Sequence, residues 1–413
     1  MSIMQEVNRP TDTVCPPAMS YHLALRDFLK RTDSELWAWF ASRRGSFKLA
    51  DDARFELLKT TYRADRTAHP AVYAAADEVA RCLGIAAPLT LYQAQHPDQL
   101  NASLVYIPGE VHIVLHGPIA DQLTATEFQS VLAHEMAHYQ LWEGWQGEFC
   151  IAADLLEALI TDALAHPAHL ASWRLFRMYA EIYCDRTALA VTSDAASVVS
   201  ALVKVQTGVA DIHAAAYLRQ AEEVVARGAG GTEGVTHPEA YIRARAVQLW
   251  SERGRESEAE IERLIEGRPG LDDLDLLAQE HVAVLTRRVI DSLLSHPWFQ
   301  TDVVLAHARL FIDDYQPPAA ELVDARLADD LRIEPESLRD YYCFLLLDFV
   351  SADRDLDELP LALGLTLAEQ WRIRDRFRDL VRQELKVRKN QLERIDRNKQ
   401  SLLANADRSA TRA

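Results

Sequence analysis

Long apolar runs are missing from this chain. Stretches without a charged residue are short, and Thr13 to Leu25 is broken by Pro16, Pro17, Ser20 and His22. A membrane-spanning helix needs about 18 or more mostly apolar residues, so no membrane segment is expected. The opening residues, MSIMQEVNRPTDTVCPP, have no basic region leading into an apolar run, which argues against a secretory leader. Cysteine is scarce and scattered: Cys15, Cys82, Cys150, Cys184 and Cys343. An odd, dispersed set excludes a disulfide framework and suits free thiols in a reducing cytoplasm. Basic residues are outnumbered, 44 Lys and Arg against 62 Asp and Glu, for a formal charge of −18. That disfavours a nucleic-acid-binding surface over the whole chain. Internal repeats and low-complexity tracts are also absent.

What remains is ordinary globular material, 49% hydrophobic and 26% charged over 413 residues. That length suggests two large units or three smaller ones. From Trp371 to Ala413 the balance reverses, with 13 basic and 6 acidic residues. Such a tail fits a solvated helix face, or one that docks on an acidic protein partner or on its own body.

Residues 20–83 read as helices, with apolar positions recurring at three and four, and Pro70 and Gly84 punctuate the last of them. The period then changes. Leu89 and Leu91, then Leu104, Tyr106, Val111, Ile113 and Leu115, predict two or three strands, with a turn at Pro108-Gly109. Thr124 and Glu127 form a capping box before an apolar helix. Further helices are expected near 147–165, 171–192, 194–208 and 211–227. Gly228 to Gly234 reads as a flexible loop, and Gly267-Arg268-Pro269-Gly270 is the clearest boundary. The organisation expected is a helical extension over 1–54, a catalytic domain over 55–266, a helical accessory domain over 271–385 and a basic helical or disordered tail over 386–413.

His134-Glu135-Met136-Ala137-His138 is an HExxH sequence. On a helix its two imidazoles share one face and can reach one ion, while Glu135 stands beside them. Glu135 is then placed to take a proton from an activated water and hand it to a leaving amine. Zinc suits this pattern because it accepts nitrogen and carboxylate donors and leaves a position open. A third donor is required. Glu181 is the candidate downstream, four residues before Asp185 on one helix face. One carboxylate of that pair can hold metal while the other fixes an imidazole tautomer. A solvated acidic face beside Arg186 is the competing reading of the pair.

Several stretches resemble the HtpX-like and CAAX-prenyl-endopeptidase-like zinc metallopeptidases of the gluzincin group. They are Asn101-Ala102 before a strand pair, Glu127 to His138 as the active-site helix, Glu181 to Arg186 as the second-helix motif, and Thr236-His237-Pro238 followed by Arg243. All four occur in the family's order, within about residues 55–250. The resemblance implies an α+β, mostly α architecture, in which a zincin-like catalytic domain with a small β-sheet is joined to an all-α C-terminal domain. It implies zinc held by His134, His138 and Glu181, with Glu135 as general base and Asp185 behind the ligands. It also implies that the strand carrying Asn101, Ala102 and Ser103 lines the cleft and pairs with a polypeptide substrate. His237 is assigned to catalysis: it can steady an oxyanion or fill the open metal position, or else simply start a helix before Pro238. Cys184 stands where the family has Ala, and is read as a small buried residue.

Other candidates read as structural. His112 and His116 lie on the strand before the active helix. His166 and His169 are separated by Pro167, which is expected to interrupt a helical face. Cys15 is a remote candidate for a thiol plug. In the C-terminal half, the stretch from Phe344 to Glu358 resembles the acidic helix-turn of TerB-like domains. An EF-hand is excluded there, because Glu358 occupies the glycine position and Gly364 the bidentate glutamate position. The reading favoured overall is a soluble, cytoplasmic zinc metalloendopeptidase. The alternative is a catalytically silent zinc-binding sensor acting through its helical domain.

Overall fold

The computed structural model describes residues 16–44, 47–95, 100–161, 165–227, 239–267, 270–318 and 324–410. The chain divides into two compact units at Arg268, with residues 275–277 belonging to the first. The whole is α+β and mostly helical.

The first unit opens with helices α1 (Ser20–Thr32), α2 (Ser34–Arg43) and α3 (Phe47–Thr60). Strand β1 (Thr61–Arg63), helix α4 (Pro70–Leu83) and strands β2 (Leu89–Ala94), β3 (Asn101–Ile107) and β4 (Glu110–His116) follow. Pro70 occupies the first turn of α4, and Gly84 closes it in the left-handed conformation at φ +66°, which glycine adopts without a Cβ clash. The strands number four, one more than the pattern suggested. The extra one, β1, has only three residues, too few to display an alternation. It pairs antiparallel with β2.

The sheet order is β1-β2-β4-β3. Strands β3 and β4 form an antiparallel hairpin, in register from Asn101 opposite His116 to Ile107 opposite Glu110. Gly109 turns it at φ +77°. Strand β2 runs parallel to β4. This arrangement leaves β3 at one edge of the sheet, with its outer backbone groups unpaired by any strand among the described residues.

Short helix α5 (Ile119–Gln122) leads to α6 (Ala125–Glu143). Both halves of the α6 capping box are formed: Glu127 N–H donates to Thr124 Oγ1 at 3.3 Å and Thr124 N–H to Glu127 Oε2 at 2.8 Å. Helices α7 (Glu148–Thr161), α8 (Pro167–Thr192), α9 (Ala195–Thr207), α10 (Ala214–Ala226), α11 (Ala240–Arg253) and α12 (Glu258–Glu266) complete the unit. Helix α8 is sealed from Met178 to Leu189. It is therefore a central helix, and its sequence shows no single apolar stripe. Pro167 begins this helix instead of interrupting it, because proline's missing N–H is no loss in a first turn. The exposed His166 caps that turn through Nδ1, which accepts from Ala168 N–H at 3.2 Å. One core joins the sheet to α4, α6, α9 and α11; another joins α1, α7 and α8.

The second unit is helical: α13 (Leu276–Leu294), α14 (Asp302–Ala308), α15 (Leu327–Ile333), α16 (Glu336–Ala352), α17 (Leu359–Gln370), α18 (Arg374–Glu384) and α19 (Lys389–Ala410). Gly364 of α17 lies so near α16 that an added Cβ would meet Val350 at 2.8 Å. The basic tail becomes α19, with Leu392, Ile395 and Leu403 buried in the unit's core. Its Lys399 lies 2.7 Å from Asp396 and also contacts Glu369. Thus part of the tail's charge is matched within its own unit. Among the described residues no helix is long and apolar enough to cross a membrane.

Candidate active site

Three helices build the site. The capping box starts α6, and helical spacing then sets His134 and His138 on one face, ring centroids 5.1 Å apart. Helix α8 presents Glu181 and Asp185 by the same spacing. The Glu181 carboxylate lies between the imidazoles, Oε2 at 3.3 Å from His134 Nε2 and Oε1 at 3.5 Å from His138 Nε2. Asp185 Oδ1 lies 3.0 Å from His134 Nδ1. Helix α11 supplies Arg243, which donates to both Asp185 oxygens at 2.7 Å and lies 3.1 Å from Glu181.

The electrostatics are those of a cation site. Burial works against an imidazolium at His134, but Asp185 and Glu181 outweigh it and raise its pKa to about 10. His134 Nε2 and the Glu181 carboxylate face each other at 3.3 Å, where a cation would serve both donors. His138 goes the other way: burial lowers its pKa to about 3, overcoming the attraction of Glu181, with smaller contributions from His134 and Arg177. It is therefore neutral and offers a lone pair. Glu181 is held well below the carboxylate range: burial acts to raise it, and Arg243 and the histidines overcome that. Two nitrogens and a carboxylate oxygen fit a divalent metal that accepts mixed donors.

Cys184 offers a second set. Its Sγ and the nearest nitrogens of His134 and His138 all lie within 4.8 Å of one another. The thiol is fully buried, and burial, followed by Glu181 and Asp185, pushes its pKa well above normal. The Glu181 oxygens lie 3.3 and 3.5 Å from the two Nε2 atoms and are already ionised. Glu181 thus presents an ionised oxygen to each imidazole, and Cys184 is a buried residue of α8.

Glu135 points to the sheet edge. Its Oε2 accepts from the Leu104 N–H of β3 at 2.8 Å. Burial raises its pKa to about 7, assisted by Glu181 and opposed by His134 and that N–H. A carboxyl tuned to this range exchanges protons readily near neutral pH. Asn101, Ala102 and Ser103 line the same cleft, which encloses about 730 Å³. Val198, Leu202 and Val205 of α9 form an aliphatic part of its wall, while Tyr106, Trp142 and Arg177 contribute elsewhere.

His237 and Cys15 lie outside the described residues. His112 is buried between the Tyr92 hydroxyl at 3.1 Å and Glu110 at 2.9 Å. His116 reaches Ser103 Oγ at 3.2 Å. His169 is distant in sequence from the ligands, on the first turn of α8. Sequence reasoning noticed Arg243 only as part of a motif and assigned it no task; the buried Asp185 is what needs it. Arg177 and the Leu104 backbone went unnoticed, because neither carries a local signal.

Residues 67–145 match the family model described as Peptidase family M48. The chain is also 32% identical over 192 residues to the plastoglobule-localized metallopeptidase 48, chloroplastic, of Arabidopsis thaliana. That alignment covers 42% of this chain and 55% of the relative, so the chain spans about half the length of the curated relative it matches. No solved structure matches. Within the first unit, residues 67–145 are thus similar to the M48 peptidases, and the curated relative that the chain resembles is a metallopeptidase.

Proposed function

We propose that the chain is a zinc-dependent metalloendopeptidase acting on extended polypeptides. The observation that carries this reading is the single carboxylate of Glu181 lying 3.3 and 3.5 Å from two imidazole nitrogens, with Glu135 beside them. His134, His138 and Glu181 would hold the metal. Zinc, when bound, supplies a Lewis acid that acidifies water and polarises a carbonyl. Every other task falls to the protein. Asp185 accepts from His134 Nδ1–H and so presents Nε2 to the site. Arg243 neutralises the acidic pair and holds both carboxylates in place. Glu135 accepts a proton from the attacking water and delivers it to the leaving amine nitrogen. The free edge of β3 at Asn101, Ala102 and Ser103 pairs with the peptide backbone, a recognition mode that reads extension and not side-chain identity. His237 is assigned to the oxyanion or to the open metal position. The four described cysteines are unpaired, as expected in a reducing compartment such as the cytoplasm.

The test is Glu135→Gln. Cleavage of an unstructured polypeptide should fall about 100- to 10,000-fold, the usual contribution of a general base. Zinc content should stay at one per chain, since Glu135 is not a donor. Retention of full cleavage by this variant would remove Glu135 from the mechanism.

A further inference from the structure

The cleft contains two arginines in different circumstances. Arg243 is spent, bound to Asp185 at 2.7 Å and Glu181 at 3.1 Å. Arg177 lines the same cleft, is partly buried, and has no hydrogen-bonding or ion-pair partner among the described residues.

Its position follows from how α6 and α8 pair. His134 meets Asp185, and both histidines meet Glu181. One turn further along α8 is Arg177, and one turn beyond His138 on α6 is Trp142. Trp142 stacks on Phe176, the neighbour of Arg177, with centroids 6.2 Å apart and planes at 17°. The cleft therefore has an aromatic, cationic end at Trp142 and Arg177, beside the metal-ligand cluster. Val198, Leu202 and Val205 give another part of its wall an aliphatic character.

A guanidinium that lines a cleft without a bonded counter-charge is available to a ligand. It is also a planar fork matched to a carboxylate. We infer that Arg177 is a specificity residue that binds a carboxylate of the substrate polypeptide, either an acidic side chain or the C-terminal carboxylate. This rests on the peptidase reading above and adds a substrate class to it.

The test uses the zinc-loaded full-length protein and matched peptides. One series carries Glu, Asp, Gln or Lys at each position around a cleaved bond. A second compares free and amidated C-termini. The wild-type protein should prefer the carboxylate-bearing peptides. Arg177→Met, which keeps the side-chain stem, should lower kcat/KM on those peptides by about 10- to 100-fold, the usual effect of losing a hydrogen bond to a charged group. Most of the change should fall in KM, and neutral peptides should be cleaved as before. Arg177→Glu should shift preference towards Lys peptides. The first series identifies a side-chain source and the second a terminal one; either supports the assignment. An equal loss on all peptides, or no acidic preference in the wild-type protein, overturns it. Peptide binding to the Glu135→Gln variant provides a readout without turnover. If nothing is cleaved but binding still depends on the carboxylate and Arg177, the peptidase reading fails and the recognition assignment stands.

Discussion

His22 illustrates how much a single buried group can matter. It packs against Phe149, Phe176 and Tyr179, its Nε2 is 3.0 Å from the Phe176 carbonyl, and its Nδ1 has no hydrogen-bond partner among the described residues. Burial lowers its pKa from 6.5 to about 4. The unfolded chain thus binds this proton more readily than the folded one. The stability contribution is fully present above pH 6.5 and is lost as pH falls from 6.5 towards 4. The full difference is about 3 kcal/mol. Urea unfolding should show the first unit about 2 kcal/mol less stable at pH 5 than at pH 7 from this group. His22→Leu should remove that part of the pH slope. An unchanged slope would mean that His22 is not the group responsible. Nothing around His22 in the sequence marks it as buried, because burial there depends on α7 and α8, more than a hundred residues away. The HExxH residues were legible for the opposite reason: their relation is set within a single helix.

At the scale of elements, the edge strand matters most. The alternation of β3 and β4 and their Pro108-Gly109 turn were readable from sequence. That β3 would be an edge was not, since it depends on β2 pairing with the far side of β4. Its position gives the Leu104 N–H to Glu135 instead of to another strand. Leu104→Pro removes this donor and trims a side chain that packs against both cores of the unit, and proline is tolerated where an edge strand's N–H points outwards. We expect kcat to fall about tenfold, in line with one lost charge-assisted hydrogen bond, while circular dichroism and zinc content stay unchanged. Loss of secondary structure would instead show that the strand itself needs Leu104. Helix α8 marks a different limit. Its sealed stretch shows no amphipathic stripe, yet its Glu181 and Asp185 stood out by spacing.

At the scale of the molecule, the two units have separate cores, and the candidate metal site belongs wholly to the first. A ligand that binds only folded protein stabilises it by about 4 kcal/mol when present at 1,000 times its Kd. For a unit of this size that corresponds to about 8–16 °C in Tm. Calorimetry should resolve a transition that moves down by this order on chelation and another that does not move. A single transition shifting as a whole would show that the units unfold together. The division into units falls at Arg268, in a Gly-Arg-Pro-Gly stretch of the kind with which glycine and proline punctuate chains locally.

Local chemistry is what the amino-acid order settled unaided: helix caps, a hairpin turn, two histidines on one helical face and two carboxylates on another. These depend on residues three or four apart, whose geometry the backbone dictates. Tertiary structure decided everything that links distant segments. It set Glu181 between the histidines, matched Arg243 to Asp185 and left Arg177 unmatched among the described residues. It also turned Glu135 towards an edge strand and raised its pKa to about 7. Burial and close approach between helices are properties of the packed chain, so charge and proton affinity at this site emerge only when α6, α8, α11 and β3 meet.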